Sequence, residues 1–312
     1  MMGKVIVVAS GKGGTGKTTL SANLSAAIAQ RGKSVVAVDM DMGLRNLDVA
    51  LGLESSIVYD VADVIEGNCV LEDALIKHPM YDSLFFIPAP QTRDAAAIGA
   101  AIAAKNVTLN SNDTNEKVEN KIGIDNEINN SEYSDKETSL KIIWKDFWKR
   151  LSERFDYCII DSPAGIEGGF KYALYGADSA IVITLAETAA LRDADRVVDV
   201  FEDEGIEDVR LVINRIRPDM ITRGIMMNVD TCVEMLEIPI LGIIDDDIEL
   251  IGSSLKGELA IDNKDSHAGK AIQNIASRIL GENVPIMDFE KNTKRYKLRD
   301  IIAKIFSRKG QH

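Results

Sequence analysis

Seven short apolar runs recur along the chain, at 4–10, 34–39, 84–87, 156–161, 179–185, 209–214 and 239–244. Longer stretches with apolar positions at helical spacing separate them. Near-continuous Val/Ile runs indicate strands buried on both faces, and their alternation with helices indicates βαβ units. The pattern predicts an α/β fold: a mostly parallel, doubly wound sheet with helices on both faces. No internal repeat or linker interrupts it, so residues 3–285 are expected to form a single domain.

Two stretches depart from this pattern. Residues 106–138 are dense in Asn, Asp, Glu, Ser and Lys and show no period. Such a segment cannot bury a core and reads as a flexible surface insertion. Helical spacing resumes near Leu140, with Ile142, Ile143, Trp144, Phe147 and Leu151. At the C-terminal end, Leu298, Ile301, Ile302, Ile305 and Phe306 fall at i, i+3, i+4, i+7 and i+8, one continuous helical face. Lys297, Arg299, Lys304, Arg308 and Lys309 flank that face.

Charge sharpens the second departure. From Lys291 onward eight Lys and Arg face one acid, Asp300, a net +7 in a chain of net −13, so residues 1–290 carry −20. A short helix at 291–309 with an apolar face and basic flanks suits the headgroup region of an anionic bilayer. The competing reading is a C-terminal helix packed on the domain. One such helix attaches only marginally, and dimerisation would multiply its effect by supplying two. The acidic body argues against nonspecific nucleic-acid binding, and no specific nucleic acid is expected.

Composition adds little else. The chain has 312 residues, 46% hydrophobic and 27% charged, as ordinary globular proteins do. No apolar run reaches the length of a transmembrane helix. Cys69, Cys158 and Cys232 form no C-x-x-C pair, so reduced thiols are expected, with Cys158 packed in the core.

The candidate chemistry lies in the turn after the first run. Gly11-Lys12-Gly13-Gly14-Thr15-Gly16-Lys17-Thr18 fits G-x-x-x-x-G-K-[ST], the phosphate-binding loop. A strand precedes it and a helix is expected from Leu20 to Gln30, the context in which backbone N–H groups converge on phosphate. The glycines let the backbone close on the anion without a Cβ clash. Lys17 is expected to reach the β- and γ-phosphates, and the Thr18 hydroxyl to ligate Mg²⁺. Run 34–39 ends in Asp39-Met40-Asp41, and acids beyond the carboxyl end of such a strand lie where open sheets bind ligands. Phosphoryl transfer needs a metal held in place and an aligned water, so the two acids suit those two tasks. Run 156–161 ends in Asp161, positioned as a Walker B carboxylate opposite Thr18 across Mg²⁺. No glutamate follows it, which leaves Asp41 as the candidate for the water. Asn214 and Arg215 close run 209–214; an Asn there can pair with an adenine edge or simply cap a turn.

Lys12-Gly13-Gly14-Thr15-Gly16-Lys17-Thr18-Thr19 resembles the signature of the deviant Walker A (ParA/MinD) family. The resemblance implies that Lys12 crosses a homodimer interface to the partner's nucleotide. It also assigns Asp39 to the metal's water shell, Asp41 to the nucleophile and Asn214 to the base. Gly43-Leu44-Arg45-Asn46-Leu47-Asp48, Gln91-Thr92-Arg93-Asp94 and Leu191-Arg192-Asp193-Ala194-Asp195-Arg196 are similar to the MinD branch. That branch implies an ATPase that positions the division site, dimerises with ATP and binds the inner face of the cell membrane reversibly. It further implies a MinC-like inhibitor and a MinE-like activator, with the helix around Arg192, Asp193 and Asp195 facing them. Residues 106–138 have no recognised counterpart in the family. Two departures remain: Ala186 precedes Glu187 where a proline is common, and Ile244 precedes Asp245 where a proline often contacts the base. A ParA-like partition ATPase acting on DNA is the alternative, and the −20 body opposes it. An iron–sulfur reductase of the same fold needs interface cysteines that this chain lacks at the expected strands.

Overall fold

The computed structural model describes residues 2–42, 44–93, 97–98, 136–166 and 168–286. Among them eight strands form one sheet: β1 Lys4–Ala9, β2 Val35–Asp39, β3 Ile76–Lys77, β4 Leu84–Ile87, β5 Tyr157–Asp161, β6 Ser179–Leu185, β7 Asp208–Ile216 and β8 Ile240–Asp245. Their spatial order is β3-β4-β2-β5-β1-β6-β7-β8. Every pairing is parallel except β3 with β4. β1 lies between β5 and β6, and the chain leaves it first toward β2 and only later toward β6. The loop after β1 therefore sits at the point where strand order reverses, where open α/β sheets bind ligands.

Alternation along β1 shows both faces covered. Val5, Val7 and Ala9 join the core that holds Trp144, Trp148, Val197 and Phe201. Ile6 and Val8 join the opposite core, with Leu20, Leu24, Ile28, Ile272 and Ile275. The Lys136–Arg154 and Thr188–Asp203 helices thus pack on one face, and Lys17–Ala29 and His267–Ile279 on the other. Each such side chain contributes about 1.5–3 kcal/mol when fully buried. Trp148 buries its indole without leaving the N–H unpaired, donating to the Tyr172 carbonyl at 2.8 Å.

The fold is the one expected, with corrections at its edges. The first strand ends at Ala9, and β7 continues to Ile216. β3 was not expected: two residues are too few to show alternation, and β3 forms by antiparallel pairing of Ile76 and Lys77 with Phe86 and Phe85. The helix after the loop begins at Lys17, not Leu20, because Lys17, Thr18 and Thr19 carry no apolar marker of its first turn. The Lys136–Arg154 helix takes in the last three residues of the 106–138 stretch. The remainder of that stretch, and the residues 291–309 expected to form a helix, lie outside the described residues. Cys158 and Cys232 are buried. No described helix is long and apolar enough to cross a membrane.

Candidate nucleotide site

β1 delivers Ser10 into the interior, where its hydroxyl donates to the Lys12 carbonyl at 2.8 Å. The loop then turns through Gly14 (φ 77°) and Gly16 (φ 101°), in the left-handed region that disfavours other residues. Gly16 is constrained twice: a Cβ there would lie 2.4 Å from Asn214 Nδ2. It is also the N-cap of the Lys17–Ala29 helix and offers no side-chain acceptor to the first-turn N–H groups. An uncapped helix start with its dipole and free N–H groups is a ready anion site.

Beneath this start lies a dense charge cluster. The Lys17 side chain is buried, and burial lowers its pKa against the opposing pull of Asp161, Asp41 and Asp39. Asp39 and Asp161 are register partners on β2 and β5, both fully buried. Asp39 Oδ1 accepts from the Asp41 N–H at 2.9 Å and Oδ2 from the Leu47 N–H at 3.2 Å. Burial, then the charge of Asp161, holds Asp39 well above the usual carboxylate range. Burial likewise raises Asp161 to about 6, opposed by a hydrogen bond from Thr18 and the charge of Lys17. Asp41 is half-buried, and desolvation raises it against the charge of Lys17. Two buried carboxylates and a hydroxyl grouped around one ammonium form an oxygen-rich donor set of the kind a hard cation takes. Among the described residues no group of three His, Cys, Asp or Glu offers a closed metal cage. Mg²⁺ needs none, since it keeps several waters and takes one or two carboxylates plus phosphate.

Sequence reading missed two members of this site. The Ser21 hydroxyl lies 3.0 Å from Asp161 Oδ1 and 3.0 Å from the Lys17 carbonyl. One helical turn after Lys17, it could have been suspected only from that spacing. Glu187, the N-cap of the Thr188–Asp203 helix, brings Oε2 to 3.5 Å from Lys12 Nζ. Lys12 is partly exposed, with 35% of its side chain accessible. The same helix touches the loop directly, since a Cβ on Gly11 would fall 2.2 Å from the Asp193 backbone. On that helix Arg192 and Asp195 are exposed and Asp193 is partly covered by the loop.

Asn214 faces the loop rather than open space. Its Nδ2 donates to the Thr15 carbonyl at 2.7 Å, and its Oδ1 accepts from the Arg215 N–H at 2.9 Å. Arg215 is exposed, has φ 55°, and sits in the irregular stretch where β7 shifts register against β8. Gly11 to Thr19, Asp39, Asp41, Asp161 and Asn214 thus come together. Leu298, Ile301, Ile302, Ile305 and Phe306 lie outside the described residues.

Sheet order, switch-point loop and buried acids define a P-loop nucleotide hydrolase. Residues 6–261 match the CobQ/CobB/MinD/ParA nucleotide binding domain. The septum site-determining protein MinD of Bacillus subtilis (strain 168) is 44% identical over 94% of this chain and 95% of its own length. The MinD cell division protein of Aquifex aeolicus superposes with a TM-score of 0.71 at 34% identity, covering 91% of this chain and all of its own. The A. aeolicus MinC:MinD cell division protein complex gives 0.69 at 34% identity, over 91% and 98%. The chain belongs to the MinD branch of this nucleotide-binding family and is an ATP hydrolase that positions the division site.

Proposed function

We propose that this chain cycles between a monomer and a Mg²⁺·ATP-bound homodimer, and that dimerisation commits it to an anionic membrane through helix 291–309. The reading rests chiefly on the buried Lys17–Asp39–Asp161 cluster under an uncapped helix start. Gly11 to Thr19 supply backbone N–H groups, and Lys17 a cation, for the phosphates. Thr18, Asp39 and Asp161 would hold Mg²⁺, which would supply positive charge to offset that of the phosphates. Asp41, half-buried and within the field of Lys17, orients the attacking water and accepts its developing proton. Asn214 and Arg215 form the base side of the site, Asn214 through whatever hydrogen-bonding capacity its contact with Thr15 leaves free. Lys12, held by Glu187 at 3.5 Å in the single chain, exchanges that carboxylate for the partner's phosphates.

The A. aeolicus relative was solved in a complex with MinC. By that kinship we assign this chain a MinC-like inhibitor as cargo and a MinE-like activator as the partner that ends the cycle. Arg192, Asp193 and Asp195 form the partner-facing surface, and the contact of Asp193 with Gly11 gives a partner there a direct mechanical route to the phosphate loop.

Two substitutions separate these roles. Lys12→Ala is expected to bind ATP yet remain monomeric by light scattering. Asp41→Ala is expected to dimerise with ATP and lose turnover, by at least about 100-fold for removal of a catalytic proton acceptor. A Lys12→Ala protein that dimerises, or an Asp41→Ala protein with wild-type turnover, removes the corresponding assignment.

A further inference from the structure

The Ile248–Leu255 helix, directly after β8, packs Leu250 toward the core and carries its other apolar side chains, Ile248, Ile251 and Leu255, outward. Ile248, Ile251 and Leu255 fall at i, i+3 and i+7 and are 77%, 55% and 84% exposed, whereas the buried residue of the helix is Ser253. A stripe of this kind on the outer face of a helix is an unpartnered packing surface. The rim is acidic along the chain: Asp246, Glu249 and Glu258 are exposed and Asp245 and Asp247 partly so, with Lys256 as the one basic residue in that interval.

We propose that, off the membrane, the segment Leu298–Phe306 of the same chain lies on this stripe and shields its own apolar face there. Charge selects this occupant, because the segment from Lys291 carries +7 and meets an acidic rim. A second copy would set acidic rim against acidic rim, which disfavours association. Spacing agrees as well: Leu298, Ile301 and Ile305 repeat the i, i+3, i+7 pattern of the stripe, so two short helices can pack along matching ridges.

Reach is sufficient. Arg278 fixes Val284 and Pro285 through their carbonyls, at 2.8 and 2.7 Å, and reaches the Leu241 carbonyl at the start of β8. The stripe begins at the other end of the His267–Ile279 helix, where Asp247 accepts from the Ala268 N–H. That helix is roughly 20 Å long. The chain from Ile286 to Leu298 spans up to about 40 Å when extended. The segment's apolar face is the one read as membrane-seeking, so stripe and bilayer compete for it; this regulatory role rests on the membrane reading above. A latch closed about nine-tenths of the time lowers apparent vesicle affinity about tenfold.

Two measurements on the full chain test the latch. In Leu255→Cys/Ile302→Cys without nucleotide, mild oxidation should give an internal disulfide whose yield is independent of protein concentration and falls when anionic phospholipid vesicles are added. Leu255→Cys alone is the control for the native cysteines. In Ile248→Ser/Leu255→Ser, which changes only exposed positions, the nucleotide-free protein should bind those vesicles about tenfold more tightly. Cross-links formed only between chains would make the stripe a copy-to-copy interface and overturn the proposal. Absence of the internal cross-link together with unchanged vesicle binding would also overturn it. Failure of the membrane reading looks different: the internal cross-link forms, but wild-type protein with ATP never binds vesicles.

Discussion

Asp39, Asp41 and Asp161 were legible in the sequence because each ends an apolar strand and so falls beside the phosphate loop. Their mutual electrostatics were not legible, since these depend on β2 and β5 being neighbours and on complete burial of the pair. Ser21 and Glu187 were hidden for a related reason, as their partners Asp161 and Lys12 are 140 and 175 residues away in sequence. The pair has a consequence for stability. A carboxyl raised to about 6 in the folded state holds its proton more tightly than in the unfolded chain. Its contribution therefore favours folding below the unfolded value and is lost as pH rises through about 6. Asp161→Asn removes that buried charge. Without nucleotide it is expected to melt above wild type at about pH 7.5, by a margin that is smaller at about pH 5, where folded wild-type Asp161 is largely protonated and the unfolded carboxyl is still ionised. The same variant should lose the stabilisation that Mg²⁺·ATP gives wild type. Thermal scans at the two pH values check both outcomes; a destabilised variant at the higher pH would show that the cluster is not under charge strain.

Most of the helices and strands could be read from periodicity, and errors fell where polar residues form part of an element. The first turn at Lys17-Thr18-Thr19 and the start at Lys136-Glu137-Thr138 present no apolar position to mark a helix. Tertiary approach between elements was invisible for the same reason, and Gly11 shows it best. In sequence it is one glycine of the loop, whereas in the structure it is the point where the loop and the Thr188–Asp203 helix touch. A methyl group there must displace backbone at Asp193, so Gly11→Ala should cost about 1–3 kcal/mol. That corresponds to a fall in melting temperature of a few degrees in a chain of this size. Gly13→Ala is the internal control, because a Cβ there meets nothing within 4 Å. Gly11→Ala should also blunt any stimulation of turnover by a partner bound to the helix. Equal melting temperatures for the two variants would disprove the contact.

At the scale of the whole molecule, the sheet order places the loop at its switch point while charge divides into a −20 body and a +7 C-terminal segment. The polar stretch 106–138 supplies −5 of the body's charge. Because the Lys136–Arg154 helix begins within it, replacement of residues 106–135, not 106–138, by a short Gly/Ser linker should preserve ATPase activity and melting temperature. Loss of folding would show that the stretch contributes to the core. The segment beyond residue 290 carries the central claim, that nucleotide state is converted into membrane attachment. Surface attraction between its lysines and arginines and anionic lipid is screened within about 8 Å at physiological ionic strength, so attachment should weaken as salt rises. The most direct test is sedimentation with anionic vesicles in ATP and in ADP, for wild type and Ile302→Glu. Wild type should sediment with ATP and remain largely in solution with ADP, while Ile302→Glu should stay in solution in both and still dimerise with ATP. Sedimentation of Ile302→Glu with ATP, or equal sedimentation of wild type in the two nucleotides, would contradict the account.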